Sequence, residues 1–312
     1  MKKMVNTVHA EGYLYKHDLK KKVTGEKSKN PGTAYIAGTI DIATNEDCTN
    51  IVTFYYSYET PQRASGATNK NYKVLEDIID GNLKTVMGDG KEKATKLSAD
   101  SAIALNEFPD KNKEGELISV KRNEGGFVNV VNELNANETE RTSFKVDMII
   151  TGTKKIEADP EKDLPEKLIL KGHIFNFRNE IMPVEFAVLN ENAMNYFEGL
   201  EPASTNPCFT QVSGRQVSLI YKIVKTEESA FGEDLVTESE RSRKDYVITW
   251  ARKELYDWDD EGTILASEVS EALANRQVKL AEIKQRNEEY AKQKAAPKAP
   301  VAAAVAPGMF NF

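Results

Sequence analysis

The chain has 312 residues, of which 40% are apolar and 29% charged, and a formal net charge of −7. That length suits two domains with modest cores. Two distant cysteines, Cys48 and Cys208, exclude a disulfide framework or a cysteine-based zinc site, and no run nears the ~18 apolar residues of a membrane span.

No signal-peptide pattern follows the first lysines, so a reducing, cytoplasmic setting is expected. The charge is uneven. The first 30 residues hold 8 lysines against Glu11, Asp18 and Glu26, while residues 225–290 hold 17 acidic and 10 basic side chains. An acidic total thus conceals a basic N-terminal segment, and a local positive field is what a polyanion responds to.

Residues 11–60 read as strands. Glu11 to Lys16 alternates, with Leu14 on one face and Tyr13 and Tyr15 on the other. Lys20 to Pro31 reads as a polar loop ending in the turn Asn30-Pro31-Gly32. From Tyr35 to Ile42 alternation returns, with Ile36, Ile40 and Ile42 sharing a face. Ile51 to Tyr58 is the most β-prone run, rich in aromatic and β-branched residues. Asn71 to Lys84 predicts a helix, with Val74, Leu75, Ile78 and Ile79 at helical spacing. Residues 85–115 show no dominant period. Two strands are expected around Leu117–Val120 and Phe127–Val131.

A similar order then recurs: Phe144 to Thr151, an acidic loop from Glu157 to Glu166, Lys167 to Phe177, and Val184 to Leu189. A short helix over Asn192–Leu200 follows, then strands at Val217–Val224 and Tyr246–Trp250. Gly38-Thr39-Ile40 parallels Gly172-His173-Ile174, and Val52-Thr53-Phe54 parallels Val184-Glu185-Phe186. Three strands, a helix and two strands, given twice, is the element order of a five-stranded OB barrel. Thr263 to Lys294 predicts one long amphipathic helix whose apolar stripe Arg276 and Asn287 interrupt. Beyond Lys294 the composition falls to Ala, Pro, Val and Lys, which buries no core and is expected to be disordered. The expected fold class is mainly β (α+β): an OB-like domain over 1–138, a second over 139–258, a charged amphipathic helix over 259–294, and a disordered tail over 295–312.

Signs of catalysis are few. The three histidines, His9, His17 and His173, have no ligand partners at metal spacing. Phosphate-loop and nucleophile-elbow motifs are absent, and Gly88-Asp89-Gly90 lacks the rest of a dinucleotide fingerprint. The acidic group Asp257, Asp259, Asp260 and Glu261 reads as a cap before the final helix. The expectation is a non-enzymatic protein with no cofactor and no metal.

Aromatics on strands carry more. With Leu14, Ile36 and Ile40 inward, Tyr13, Tyr15 and Tyr35 face outward. With Val52, Phe54 and Tyr56 inward, so does Tyr55. With Ile174 inward, His173, Phe175 and Phe177 face outward, which awkwardly leaves Asn176 inward and hints at a bulge. Outward rings on a curved sheet are platforms on which bases stack. Lys16, Lys20, Lys21, Lys22, Lys171 and Arg178 lie close by in sequence and supply a phosphate field.

Two OB-like halves, a long helix, an Ala/Pro-rich segment and a terminal aromatic together resemble a phage- or plasmid-type single-stranded-DNA-binding protein. The resemblance implies coating of single-stranded DNA or RNA in replication or recombination, with self-association as an added expectation. Bacterial members of the family end in an acidic tip closing in Pro-Phe, which docks replication partners; here replication or recombination partners are the expectation for the tail. This chain ends Met309-Phe310-Asn311-Phe312 with Glu289 as its last acid, leaving Phe310 and Phe312 as the docking candidates. The alternative is a structural or assembly protein of the virion type, using its β-domains and helix for protein contacts.

Overall fold

A computed structural model describes residues 3–110, 113, 116–162, 164–227, 229–232, 235–258 and 263–295. The strands are β1 (Asn6–His17), β2 (Lys20–Val23), β3 (Ala34–Ala43), β4 (Ile51–Glu59), β5 (Lys96–Pro109), β6 (Leu117–Val130), β7 (Thr142–Ile156), β8 (Lys167–Phe175), β9 (Ile181–Val188), β10 (Cys208–Glu227) and β11 (Leu235–Ala251). The helices are α1 (Lys70–Ile79), α2 (Val86–Asp89), α3 (Glu191–Gly199) and α4 (Ala266–Ala295).

The pairings close into two rings. In the first, β1 pairs antiparallel with β3, β3 with β4 and β5 with both β1 and β6, and a parallel β4–β6 contact completes the circuit. In the second, β7 pairs with β8 and β10, β8 with β9 and β10 with β11, and a parallel β9–β11 contact closes it. Each ring has five strands, with a helix, α1 or α3, between its third and fourth. This is OB-barrel connectivity, twice. The two barrels join where β1 pairs antiparallel with β7, Asn6 opposite Val146.

Alternation builds both interiors. Leu14, Ile36, Ile40, Ile42, Val52, Phe54 and Tyr56 are all buried, and Leu75 and Ile78 of α1 plug that barrel. Phe144 stacks on Phe186 with centroids 5.1 Å apart in the second, where Met194 and Phe197 of α3 play the plugging role. One apolar cluster runs through both barrels because the β1–β7 seam sets Val8 opposite Phe144. The helix α1 is fixed to the sheet by buried Asn71, whose side chain donates to the Gly126 carbonyl and accepts from the Val128 amide at 2.9 Å.

The structure differs from the sequence reading at four places. β5 occupies the stretch with no dominant period. Its inward set includes Leu97, Ala99 and Ile103, and the small residues between them mute the contrast. The two strands expected in 116–134 are one, β6. Gly125 and Gly126 break its pattern with φ of 68° and 91°, opposite a register shift between Asp100 and Ala102. A Cβ at Gly126 would also strike the Asp100 carbonyl, so only glycine fits. The lysine segment is not all loop: Lys20–Val23 is a short strand on the sheet edge, where charge discourages further pairing. Finally, the repeat is one of connectivity rather than residue register: Ile40 lies opposite Phe54, but Ile174 lies opposite Met182 and Phe186 opposite Leu170.

A second apolar cluster lies outside the barrel rings. Phe175, Met4, Ile149, Ile181, Phe209 and Ile264 are buried there, with Tyr256, Trp258, Val269 and Ala272 packed over them. The start of α4 is thereby held against the outer face of the second barrel. Arg276, which interrupts the apolar stripe of α4, meets Glu107 of β5 at 2.5 Å, and Lys279 meets Glu180 at 2.9 Å.

Candidate nucleic-acid interface

The outer face of β3 and β4 holds the most complete set of candidate groups. Tyr55 is half-buried on β4 between Thr39 of β3 and Glu124 of β6. The guanidinium of Arg122 lies 5.5 Å from its ring centroid, and Glu124 holds that guanidinium at 2.8 Å. Ser57, two residues along, donates to the Glu124 carboxylate. A cation over one ring face, fixed by a carboxylate, orients the ring. Further along, Tyr35 and Tyr58 are 4.8 Å apart, and Lys22 lies opposite Tyr35 on β2.

Lys16 closes the other end of this face. It lies 3.7 Å from Asp41, which accepts a 2.5 Å hydrogen bond from Thr53. Lys244, from β11 of the second barrel, donates to the same Thr53 hydroxyl at 2.7 Å.

On the second barrel, Lys171 and His173 project from β8 into a groove of about 570 Å³, bounded by β9, by β11 and by the long β5–β6 hairpin of the first barrel. Lys121 of that hairpin sits 5.1 Å from the rings of Phe186 and Tyr246 and reaches the Glu185 carbonyl. Glu185 lies 3.9 Å from Lys171. Burial lowers the pKa of His173, and the nearby Arg276 adds to the effect, so the ring is neutral at neutral pH and offers a flat face rather than a charge. Phe177 and Arg178 lie in a different groove, of about 580 Å³, between β5, the β8–β9 turn and α4. Phe177 is 74% exposed, with Arg178 5.1 Å from its ring.

The barrels are fixed to each other by a buried polar knot. Asn123 of β6 donates to the Thr53 carbonyl at 3.0 Å, exchanges two 3.1 Å hydrogen bonds with Gln216 of β10, and accepts from the Tyr246 hydroxyl at 2.6 Å. Asn50 and Ser218 add a 2.7 Å bond across the same boundary.

Three expected site residues stand elsewhere. Phe175 does leave the barrel interior, as alternation requires, but it is 0% exposed beneath Ile264 and its neighbours and is core. Tyr13 is on the outer side but committed: its hydroxyl lies 3.2 Å from Glu46, and Lys91 covers its ring at 5.3 Å. Lys21 is tied to α1, 2.9 Å from Asp80 and 3.2 Å from Glu76, away from the other cations. Tyr15 is half-buried on β1, and Lys20 faces Asp18 at 3.1 Å. The awkward Asn176 needs no bulge, because β8 ends at Phe175 and Asn176 caps the following turn, accepting from the amides of Arg178 and Glu180. Phe310, Phe312 and the rest of the expected tail from 296 on lie outside the described residues, as do Asp259, Asp260 and Glu261, while Ala295 ends α4.

Sequence reasoning missed Arg122, Lys121, Lys244 and Tyr58. Arg122 and Lys121 fall in a strand broken by glycines, and Lys244 works beside residues some 190 positions away. Tyr58 was within reach, since it ends the same aromatic run as Tyr55. Among the described residues no cluster of His, Cys, Asp and Glu could hold a metal ion, and no helix is long and apolar enough to cross a membrane.

No protein with a curated description matches this sequence. Among solved structures, a deletion mutant of the single-stranded DNA binding protein from Thermus aquaticus is similar over 83% of this chain and 98% of that one, at 12% identity and a TM-score of 0.44. At that score the likeness says nothing of ligand or site. The YorF family model matches residues 4–286, nearly the whole described chain, and the protein therefore belongs to the YorF family.

Proposed function

We propose that this chain binds single-stranded nucleic acid, DNA in the first instance, without turnover. One observation carries the reading: two OB barrels present the outer faces of their second and third strands with rings and cations in place, Tyr55 under Arg122 on one and His173 beside Lys171 on the other. Bases would stack on the open ring faces while phosphates meet Lys16, Lys22, Lys121, Lys171 and Lys244. Phe177 and Arg178 extend the same chemistry beyond the second groove. The working units are the two barrels, over 1–138 and 139–258, with α4, within the 259–294 segment, bracing them. Coating of unpaired strands suits replication or recombination of a phage or plasmid, with self-association along the strand and partner docking through Phe310 and Phe312 as further parts of the proposal.

The test is a fluorescence titration with poly-dT at two salt concentrations. Saturable binding is expected, with a log–log salt slope of about −0.7 per phosphate neutralised. No binding at low salt would remove the proposal.

A second reading, assembly through protein contacts, has its own observation. The tip of the β10–β11 hairpin exposes Phe231 at 90% and Leu235 at 61%. If that reading holds, the chain self-associates through these residues and ignores the oligonucleotide.

A further inference from the structure

The strongest unassigned feature is the group where the two outer faces touch. Asp41 and Thr53 belong to the first barrel, Lys16 comes from β1, and Lys244 comes from β11 of the second. Two ammonium groups surround one carboxylate, so the cluster is net positive. Its bonds are unequal. Thr53 to Asp41 is short at 2.5 Å, whereas Lys16 to Asp41 is loose at 3.7 Å, and Lys244 has a neutral hydroxyl as its hydrogen-bond partner there.

We propose that Lys16 and Lys244 seat a backbone phosphate at the barrel seam, so that the two OB faces form one continuous track and bind one strand as a unit. The inference rests on the nucleic-acid reading above and assigns to that site a central contact, Lys244. Three features support it. The cluster lies on the Tyr55 face, two residues along β4 from that ring, and Lys244 also lines the groove of Lys171 and His173. It therefore adjoins both candidate faces. The seam is rigid, because the Asn123–Gln216–Tyr246 knot lies directly behind Thr53. The Lys244 ammonium, bonded there to a neutral hydroxyl, is also under-compensated. Desolvation lowers the pKa of Lys244, with Lys16 acting in the same direction and Asp41 opposing, so an incoming anion relieves an existing electrostatic cost. A phosphate has the loose Lys16–Asp41 contact to displace, and an ammonium has three N–H donors, so Lys244 can meet it while keeping its bond to Thr53.

The experiment uses Lys244→Gln and Lys16→Gln in the full chain, each retaining a hydrogen-bonding head. An OB fold occupies about 4–16 nucleotides, so affinities are measured for dT oligomers of about 8 and about 30 nucleotides. Both substitutions should weaken the long oligomer about tenfold or more, as loss of a charge-assisted contact does, and flatten its salt slope by about 0.7. The short oligomer, which is accommodated on one barrel, should change less than threefold or so by comparison. Melting midpoints, recorded alongside, should not fall, because Lys16 is exposed and Lys244→Gln removes a desolvated charge while keeping a hydrogen-bonding head. Equal losses at both lengths would place the cluster inside one barrel's site and overturn the shared track. Unchanged affinity for the long oligomer would overturn the phosphate seat. Failure of the unsubstituted protein to bind either oligomer would instead strike the nucleic-acid reading itself, and the same titration distinguishes that result.

Discussion

Phe175 and Tyr55 occupy comparable outward positions on their strands, yet the structure gives them opposite roles. Phe175 is fully enclosed by Met4, Ile149, Ile181, Phe209 and Ile264. Cutting a buried Phe to Ala costs about 3–5 kcal/mol. This cluster is small and lies near the start of α4, where the chain can partly collapse into the gap, so the lower end, about 3 kcal/mol, is expected. At about 2–4 °C per kcal/mol, Phe175→Ala should lower the melting midpoint by about 6–12 °C. Oligonucleotide affinity, measured well below the midpoint, should hardly change. Tyr55→Ala should do the reverse. Its ring is half-buried with Arg122 over it, so affinity should fall by about 1–3 kcal/mol if bases stack there, with little loss of stability. Thermal melts and fluorescence titrations on the same preparations read both quantities. Lost affinity at constant stability for Phe175→Ala would refute the assignment of this ring to the core.

Asn123→Ala leaves Gln216, Tyr246 and the Thr53 carbonyl without their shared partner. A buried group left unsatisfied costs about 1–3 kcal/mol, so a loss of about 3 kcal/mol in denaturant unfolding is expected. Arg276→Ala strands Glu107, whose side chain is 9% exposed, and should raise hydrogen exchange in α4 and β5 while lowering stability by about 3 kcal/mol or more. Asp41→Asn removes the carboxylate that competes with phosphate between Lys16 and Lys244, and should tighten oligonucleotide binding severalfold in titrations at low salt. Glu46 is held at a pKa of about 2, against an ordinary 4.5, chiefly by its hydrogen bond to Lys91 and then by Arg141. Its stabilising contribution is therefore full above about pH 4.5 and is lost as pH falls toward about 2. Glu46→Gln should flatten the acid side of the stability curve over that window in pH-dependent melts.

Much of the fold was legible where apolar and polar residues alternate with strong contrast. Ile36, Ile40 and Ile42 fixed the facing of β3, and Val52, Phe54 and Tyr56 that of β4, so Tyr35 and Tyr55 were correctly oriented. Legibility failed where contrast was weak or the decisive contact was remote. In β5 Ala99 and Ser101 replace large apolar residues, and in β6 two glycines interrupt the period. The burial of Phe175 depends on Ile264, some 90 residues later, and alternation cannot distinguish an outward ring under solvent from one under another segment. The lysine run read as a coherent phosphate field, but Lys21 is claimed by α1 and Lys20 by Asp18. Arg122, which lies over Tyr55, and Lys244, which reaches Thr53, come from strands that meet this face only in the closed, two-barrel structure.

Hydrogen exchange with and without a dT oligomer tests the central claim most directly. It locates the bound strand and does not depend on which side chains are substituted. Slowed exchange is predicted in β3, β4, β8 and β9 and in the β5–β6 hairpin, with the interior of α4 unchanged. Protection confined to α4 or to the β10–β11 hairpin tip, or no change anywhere at saturating oligomer, would contradict the account.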